Sequence, residues 1–305
     1  MFVDSAPLLR RAEAAAELRA RAEQDGYLFL RGLLPADAVL RLRPDLLAVV
    51  GRYGWLANTP GAAAEQGRLD TDTLARVPES DLRTDIGITH AAYDDVQCLE
   101  SLHRLPHHPN LLSLFEVLFG RPVLVHPRHI ARLVTSHPAM APTPQHQDFP
   151  LIQGTTNTWT CWFPLGDCPR AMGGLAVLRG SHRSGYIPIQ NARGAGAIAA
   201  QLCPGDDEWA TDEFAAGDVL IFPCLTVHKA LPSRFPGRIR LSLDVRYQPA
   251  DEPVEAKSLL PHCALSWEEI YAGWERDDLK YYWQRLPLTL SPWDASLLQP
   301  ARRIC

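Results

Sequence analysis

The chain has 305 residues, with 30 Lys+Arg against 35 Asp+Glu, for a formal net charge of −5. Hydrophobic residues make up 46% and charged residues 21%, an ordinary balance for a chain long enough to bury its core without a disulfide or a structural metal. The mild acidity excludes the basic footprint of a nucleic-acid binder or of a protein drawn to an anionic membrane.

Residues 7–24 are rich in Ala, Glu, Arg and Leu and predict a helix closed by Gly26. Tyr27-Leu28-Phe29-Leu30 reads as a short buried strand, and Pro35 opens a second helix that Pro44 is expected to kink or divide. Residues 57–90 show no clear period and read as loop with short helical pieces. Helices are expected at about 92–104 and 109–119, the second started by Pro109 and stopped by Gly120. After Arg121 the texture changes. VLVHPRHIARLVT, TNTWTCWFPL, GLAVL, DVLIF and RIRLSLDVRYQ are short β-rich pieces separated by turn residues, as in a sandwich or barrel. Residues 183–215 read as a long loop with some helix, of a length that often forms a lid. Beyond Pro249, Ser266 and Glu269 make a capping box, and Trp267, Ile270 and Trp274 fall at helical spacing, as expected of a helix packed on the outside of the sheet.

The seven cysteines are odd in number and lack a C-x-x-C pair, which suggests free thiols in a reducing compartment. The N-terminus interleaves acids and arginines with alanines, unlike a signal peptide, and no window approaches the roughly 20 apolar residues of a membrane span. The expected location is cytoplasmic.

The chemistry concentrates in three segments. In Thr143-Pro144-Gln145-His146-Gln147-Asp148, an extended backbone would project His146 and Asp148 from one face. Alone, this H-x-D is a weak signal. Cys224-Leu225-Thr226-Val227-His228 puts a second histidine at the end of a β segment. Two imidazoles and a carboxylate can occupy one face of an octahedral metal and leave three positions open, the arrangement suited to non-haem Fe(II). From ten residues on, Arg238, Arg240, Ser242, Asp244 and Arg246 alternate with apolar residues. That polar face is either solvated or turned into a barrel, where Arg240 would fork onto a ligand carboxylate and Ser242 would add a hydrogen bond.

Here the chain resembles the phytanoyl-CoA dioxygenase family of Fe(II)/2-oxoglutarate oxygenases, which includes ectoine hydroxylase-like enzymes. The likeness runs through DGYLFLRGLLP, the H-Q-D segment, WFPLGD, GGLAVLRGSHRSG, GDVLIFPCLTVH, RLSLDVRYQP and WEEIYAGWERDDLKYYW. It implies an all-β core with flanking helices, a cupin-like double-stranded β-helix or jelly roll. Residues 1–305 would then form one domain, with a helical flank over about 1–120, a core over about 121–249 and a second helical flank over about 250–305.

The resemblance also implies Fe(II) ligands at His146, Asp148 and His228, with 2-oxoglutarate and O2 as cosubstrates. The 2-oxoglutarate anchor would be Arg240 with Ser242, with Arg238 as a rival because the spacing from His228 is one residue longer than usual. Trp162 would line the cosubstrate site. The carboxylate at Asp148 implies a hydroxylase rather than a halogenase. The implied partner is a small or medium organic substrate, with no nucleic acid and no membrane. A cupin-like isomerase or hydrolase without 2-oxoglutarate, and a barrel that merely binds a small molecule, remain as alternatives. The sequence does not address oligomeric state.

Overall fold

The computed structural model describes residues 1–57, 66–235 and 237–305. Nine strands build two sheets: β1 (Leu28–Leu30), β2 (Val123–Val125), β3 (Ile130–Val134), β4 (Trp159–Pro164), β5 (Leu175–Leu178), β6 (Trp209–Thr211), β7 (Val219–Pro223), β8 (His228–Ala230) and β9 (Arg240–Pro249). The larger sheet runs β1-β7-β4-β9-β2, with β3 also on β9, and the smaller runs β6-β5-β8; all pairings are antiparallel. Phe29, Trp162, Leu220 and Phe222 of the large sheet meet Leu175, Val177 and Ala210 of the small one in a shared apolar cluster. This is the expected jelly-roll core, built as two facing sheets rather than a closed barrel.

All ten residues of β9 are buried, yet its two faces differ completely. Leu241, Leu243, Val245 and Tyr247 point outward into the main core, where they join Leu46 and Val49 of the helix Ala36–Arg52. Val96 of His90–Gln97 and Phe115 of Pro109–Phe119 complete that contact. Phe115 stacks on Tyr247 at 4.0 Å between centroids. The polar face, Arg240 to Arg246, therefore has to look inward between the sheets. The helical flank decides this orientation.

Several elements differ from the sequence reading. The first helix spans only Ala14–Asp25, after a 3-10 turn over Ala6–Arg10; Gly26, at φ 76°, closes it as expected, its N–H donating to the Ala22 carbonyl. Pro44 does not divide the second helix, which is continuous over Ala36–Arg52 because Leu42, Leu46, Leu47, Val49 and Val50 bury one unbroken face. The helix expected at about 92–104 breaks into His90–Gln97 and Glu100–Arg104. Of the loop expected at 57–90, residues 58–65 lie outside the described residues; the rest holds the helix Thr71–Ala75 and a pair of two-residue strands, Leu82–Arg83 and Ile88–Thr89.

No helix of four or more residues other than a 3-10 turn over Ser181–Ser184 forms among residues 183–215. Instead Ile189–Asn191 pairs with Ile198–Ala200 across a glycine-rich tip, and the Ala200 N–H donates to the Gln145 carbonyl beside His146. The alanine-rich run becomes strand because pairing partners outweigh its weak helical preference.

Cys203 and Cys305 are bonded, a correction to the expectation of free thiols, while the other five cysteines are free. They are 102 positions apart, and they meet because the C-terminal segment returns over the hairpin. Gln201 receives the Arg303 N–H, and Arg303 pairs with Asp206 at 2.9 Å. The Ser266–Glu269 capping box is present, though the helix it starts is short, Trp267–Tyr271; its Trp267 and Tyr271, with Trp274 beyond its end, pack in one cluster with Trp283. Among the described residues, no helix is long and apolar enough to cross a membrane.

Candidate metal centre

His228 does not end a β segment as expected; it opens β8 after the turn at Cys224–Val227. It lies directly opposite His146, and the two residues exchange both main-chain hydrogen bonds at 2.9 Å. Facing residues in such a pair project side chains to the same side, and the ring centroids are 4.2 Å apart. Asp148 is not in extended backbone; at φ −73° and ψ −29° it starts the short helix Phe149–Ile152, and that turn swings its carboxylate back toward the rings. Asp148 Oδ1 is 3.4 Å from His146 Nε2 and 3.8 Å from His228 Nε2. The ligand atoms of the three residues lie within 4.8 Å of one another, and all three residues are buried.

The outward-facing atoms are each held. His146 Nδ1 lies 2.8 Å from the Pro144 carbonyl and His228 Nδ1 lies 3.1 Å from that of Thr226. A carbonyl can only accept, so both rings carry their proton on Nδ1 and present a bare Nε2. Asp148 Oδ2 accepts from Thr160 Oγ1 and, at 3.0 Å, from Arg246 Nη2, leaving Oδ1 toward the histidines. The strand register arranges this: Arg246 of β9 faces Thr160 of β4, so both donors reach one oxygen.

Burial alone would raise the Asp148 carboxyl, but Arg246 and the two imidazoles together hold it well below the usual carboxylate range. Burial, aided by His146, pushes His228 down to about 4. Two imidazoles presenting Nε2 and an ionised carboxylate form a donor set suited to a divalent metal.

A cavity of about 320 Å³ opens on this triad, with Trp162, Arg240 and Asp244 in its wall. Arg240 is buried and donates to the Gly173 carbonyl at 2.6 Å, while its Nε and the neighbouring Ser242 Oγ are buried without a partner. Gly173 can offer that carbonyl because it sits at φ 78°, where a Cβ would fall 2.3 Å from the Leu231 oxygen. Trp162 lies beside the guanidinium, its ring centroid 5.8 Å from Arg240 Cζ.

Arg238 borders the same cavity, but its Nη2 donates to Gln66 Oε1 in an exposed contact at 2.8 Å. Sequence reasoning gave no role to Thr160 or Arg246. Alternation along β9 was the available signal for Arg246, while Thr160 became recognisable only from its register partner. Arg132, which binds Asp244 at 2.7 Å and so neutralises a buried carboxylate at the cavity wall, gave no such signal.

A buried His-x-Asp…His triad between the sheets of a jelly roll defines a non-haem metal enzyme. Residues 22–240 match the family described as phytanoyl-CoA dioxygenase (PhyH). The chain belongs to the phytanoyl-CoA dioxygenase family, and with it to the iron- and 2-oxoglutarate-dependent dioxygenases.

The chain is 32% identical over 274 residues to a 1-deoxypentalenic acid 11-beta-hydroxylase of Streptomyces arenae, covering 85% of this chain and 89% of that protein. The enzyme of the same name from Streptomyces exfoliatus is 30% identical over 276 residues, with the same coverage. Among solved structures, the epimerase SnoN in complex with Fe3+, alpha ketoglutarate and nogalamycin RO shares the fold. Its TM-score is 0.55 at 22% identity, with 80% of this chain and 87% of that one covered.

Proposed function

We propose that His146, Asp148 and His228 hold Fe(II), that Arg240 and Ser242 receive the far carboxylate of 2-oxoglutarate, and that the enzyme hydroxylates a C–H bond of a small organic substrate. The observation that carries this reading is the set of unspent groups facing one space. These are two bare Nε2 atoms, one bare carboxylate oxygen, and the partnerless Arg240 Nε and Ser242 Oγ. A buried guanidinium donor and hydroxyl without partners are unfavourable unless an acceptor joins them, and a carboxylate supplies two oxygens.

When bound, iron, 2-oxoglutarate and O2 supply the oxidising power, releasing succinate and CO2. The protein's residues do the rest. Thr160 and Arg246 keep Asp148 ionised and one-sided, so that Oδ1 alone faces the metal site. Pro144 and Thr226 carbonyls fix both ring orientations. Arg240 aligns the cosubstrate along Trp162, and Phe222, 4.4 Å from the His228 ring, keeps water off one side. Residues 1–305 act as one unit in this reading, because the helical flank packed on β9 is what turns Arg240 inward.

Succinate formation from 2-oxoglutarate tests the reading, with Fe(II) and O2 each omitted in turn and 1-deoxypentalenic acid as the first substrate offered. Calorimetry of 2-oxoglutarate binding to the Fe(II)-loaded protein is the second readout. Turnover or binding that ignores both iron and 2-oxoglutarate would refute it and favour an isomerase or hydrolase of the same fold.

A further inference from the structure

A second cavity of about 250 Å³ reaches the triad from another side, with His146, Asp148 and Arg246 shared between the two. Four cationic side chains line it, Arg128, Arg132, Arg246 and Lys257, against two carboxylates, Asp85 and Asp148. Four of these six have partners that account for them: Arg132 is bound to Asp244, Arg246 and Asp148 to each other, and Asp85 to Arg83 through two contacts of 2.6 and 2.8 Å.

Arg128 and Lys257 remain, and neither has a carboxylate partner among the described residues. Arg128 is half-buried; its Nη1 donates to the carbonyls of Leu260 and Pro261, which stabilise the cation without neutralising it. An arginine cannot shed its proton to escape this. Lys257 is held over the Trp293 ring, its Nζ 3.5 Å from the centroid. The field is sensed nearby: His262 lines the same wall and is held well below its ordinary value, first by burial and then by Arg128, Arg83, Arg132 and Arg246. Leu151, Ile152 and Ala195 supply an apolar surface in the same cavity.

We infer that this cavity is the substrate site and that it selects a compact amphipathic carboxylic acid, with the carboxylate on Arg128 and Lys257 and the hydrocarbon body against Leu151, Ile152 and Ala195. The inference rests on the oxygenase reading above for its reaction and names the class of molecule that reaction takes. With the acid group fixed on one wall, the carbon skeleton extends toward the triad, so the anchoring residues also choose which C–H is presented. A neutral isostere would leave the two cations unanswered, which makes them specificity-determining.

The test is a calorimetric titration of the full-length protein under anaerobic conditions, loaded with Fe(II) and saturating 2-oxoglutarate so that Arg240 is already occupied. The probes are 1-adamantanecarboxylic acid and, as its neutral counterpart of the same shape, 1-adamantanecarboxamide. The acid is expected to bind about tenfold or more tightly than the amide, as a charge-assisted pair requires. The preference is expected to vanish in Arg128→Met, to shrink in Lys257→Met and to survive in part in Arg128→Lys.

Equal binding of acid and amide by the wild-type protein, or an acid preference untouched in both Met variants, would overturn the inference. Should Arg128→Met lose its fold along with the Leu260 and Pro261 contacts, Lys257→Met decides alone, since that side chain is exposed. Heat of binding does not depend on turnover. An active 2-oxoglutarate oxygenase without acid preference refutes this inference only; acid preference without iron-dependent turnover refutes the oxygenase reading only.

Discussion

The two faces of β9 are equally buried and chemically opposite. The outward face is closed: Leu241, Leu243, Val245 and Tyr247 fill a core of helix side chains, and even the Tyr247 hydroxyl donates to the Pro106 carbonyl at 2.6 Å. The inward face keeps groups in reserve, since Arg240 Nε, Ser242 Oγ and Arg246 Nε are all buried without partners. Burial by itself therefore does not separate structure from function in this protein. On this strand, satisfaction of the buried polar atoms does, because only the inward face leaves donors unspent.

The comparison can be broken most severely at Asp148. Asp148→Ala is expected to reduce 2-oxoglutarate consumption to background and to release bound iron on dialysis, measured by metal analysis. It also strands the Arg246 guanidinium, so melting should come at lower temperature, with a cost of about 3–5 kcal/mol. Wild-type turnover in that variant would remove Asp148 from the ligand set.

On the outward face, Leu243→Ala should cost about 2–5 kcal/mol in denaturant unfolding while leaving turnover per folded molecule unchanged. A loss of turnover without a loss of stability would contradict the division of the strand. Arg240→Met is expected to raise the KM for 2-oxoglutarate about ten- to a hundredfold, the scale of a lost charge-assisted hydrogen bond, with a smaller effect on kcat.

Acid should act on both sides of the sheet alike. Burial pushes His103, under the C-terminal aromatic cluster, down to about 4, and does the same to His126, whose Nε2 lies 2.8 Å from Gln248 Oε1. In the unfolded chain each titrates near 6.5. Between those values the unfolded state binds protons that the folded state refuses. Their contribution is therefore complete above about pH 6.5 and lost as pH falls toward 4. Melting temperature measured against pH should show this slope, and His103→Phe should flatten part of it. The smallest effect belongs to Arg238→Met: about twofold or less on the KM for 2-oxoglutarate, as for other exposed polar contacts.

Much of the fold was legible because local signals agreed with tertiary demands. Gly26 closes a helix and Ser266 with Glu269 starts one, each through hydrogen bonds made within a few residues. The β pieces after Arg121 are strands because their alternation or apolar runs suit a two-layer core. Where residues distant in sequence decided, the signals failed. The run at 189–200 pairs as a hairpin, Pro44 is carried by the packing of its helix, and Cys203 finds Cys305 only because the chain returns over that hairpin.

The candidate site divides in the same way. His146, Asp148, His228 and Arg240 could be named from residue type, spacing and family likeness, since a metal triad and a carboxylate anchor need particular side chains. Which oxygen of Asp148 faces the histidines was settled by the β4–β9 register that sets Thr160 against Arg246. Arg240 lies within β9 and is buried, whereas Arg238 precedes the strand and spends a donor on Gln66 in an exposed contact. The sequence by itself determined the chemistry available to this protein and most of the strands that carry it. Only the tertiary structure decided which buried donors are left unsatisfied, because each partner lies on a different strand or turn and its distance is set by packing.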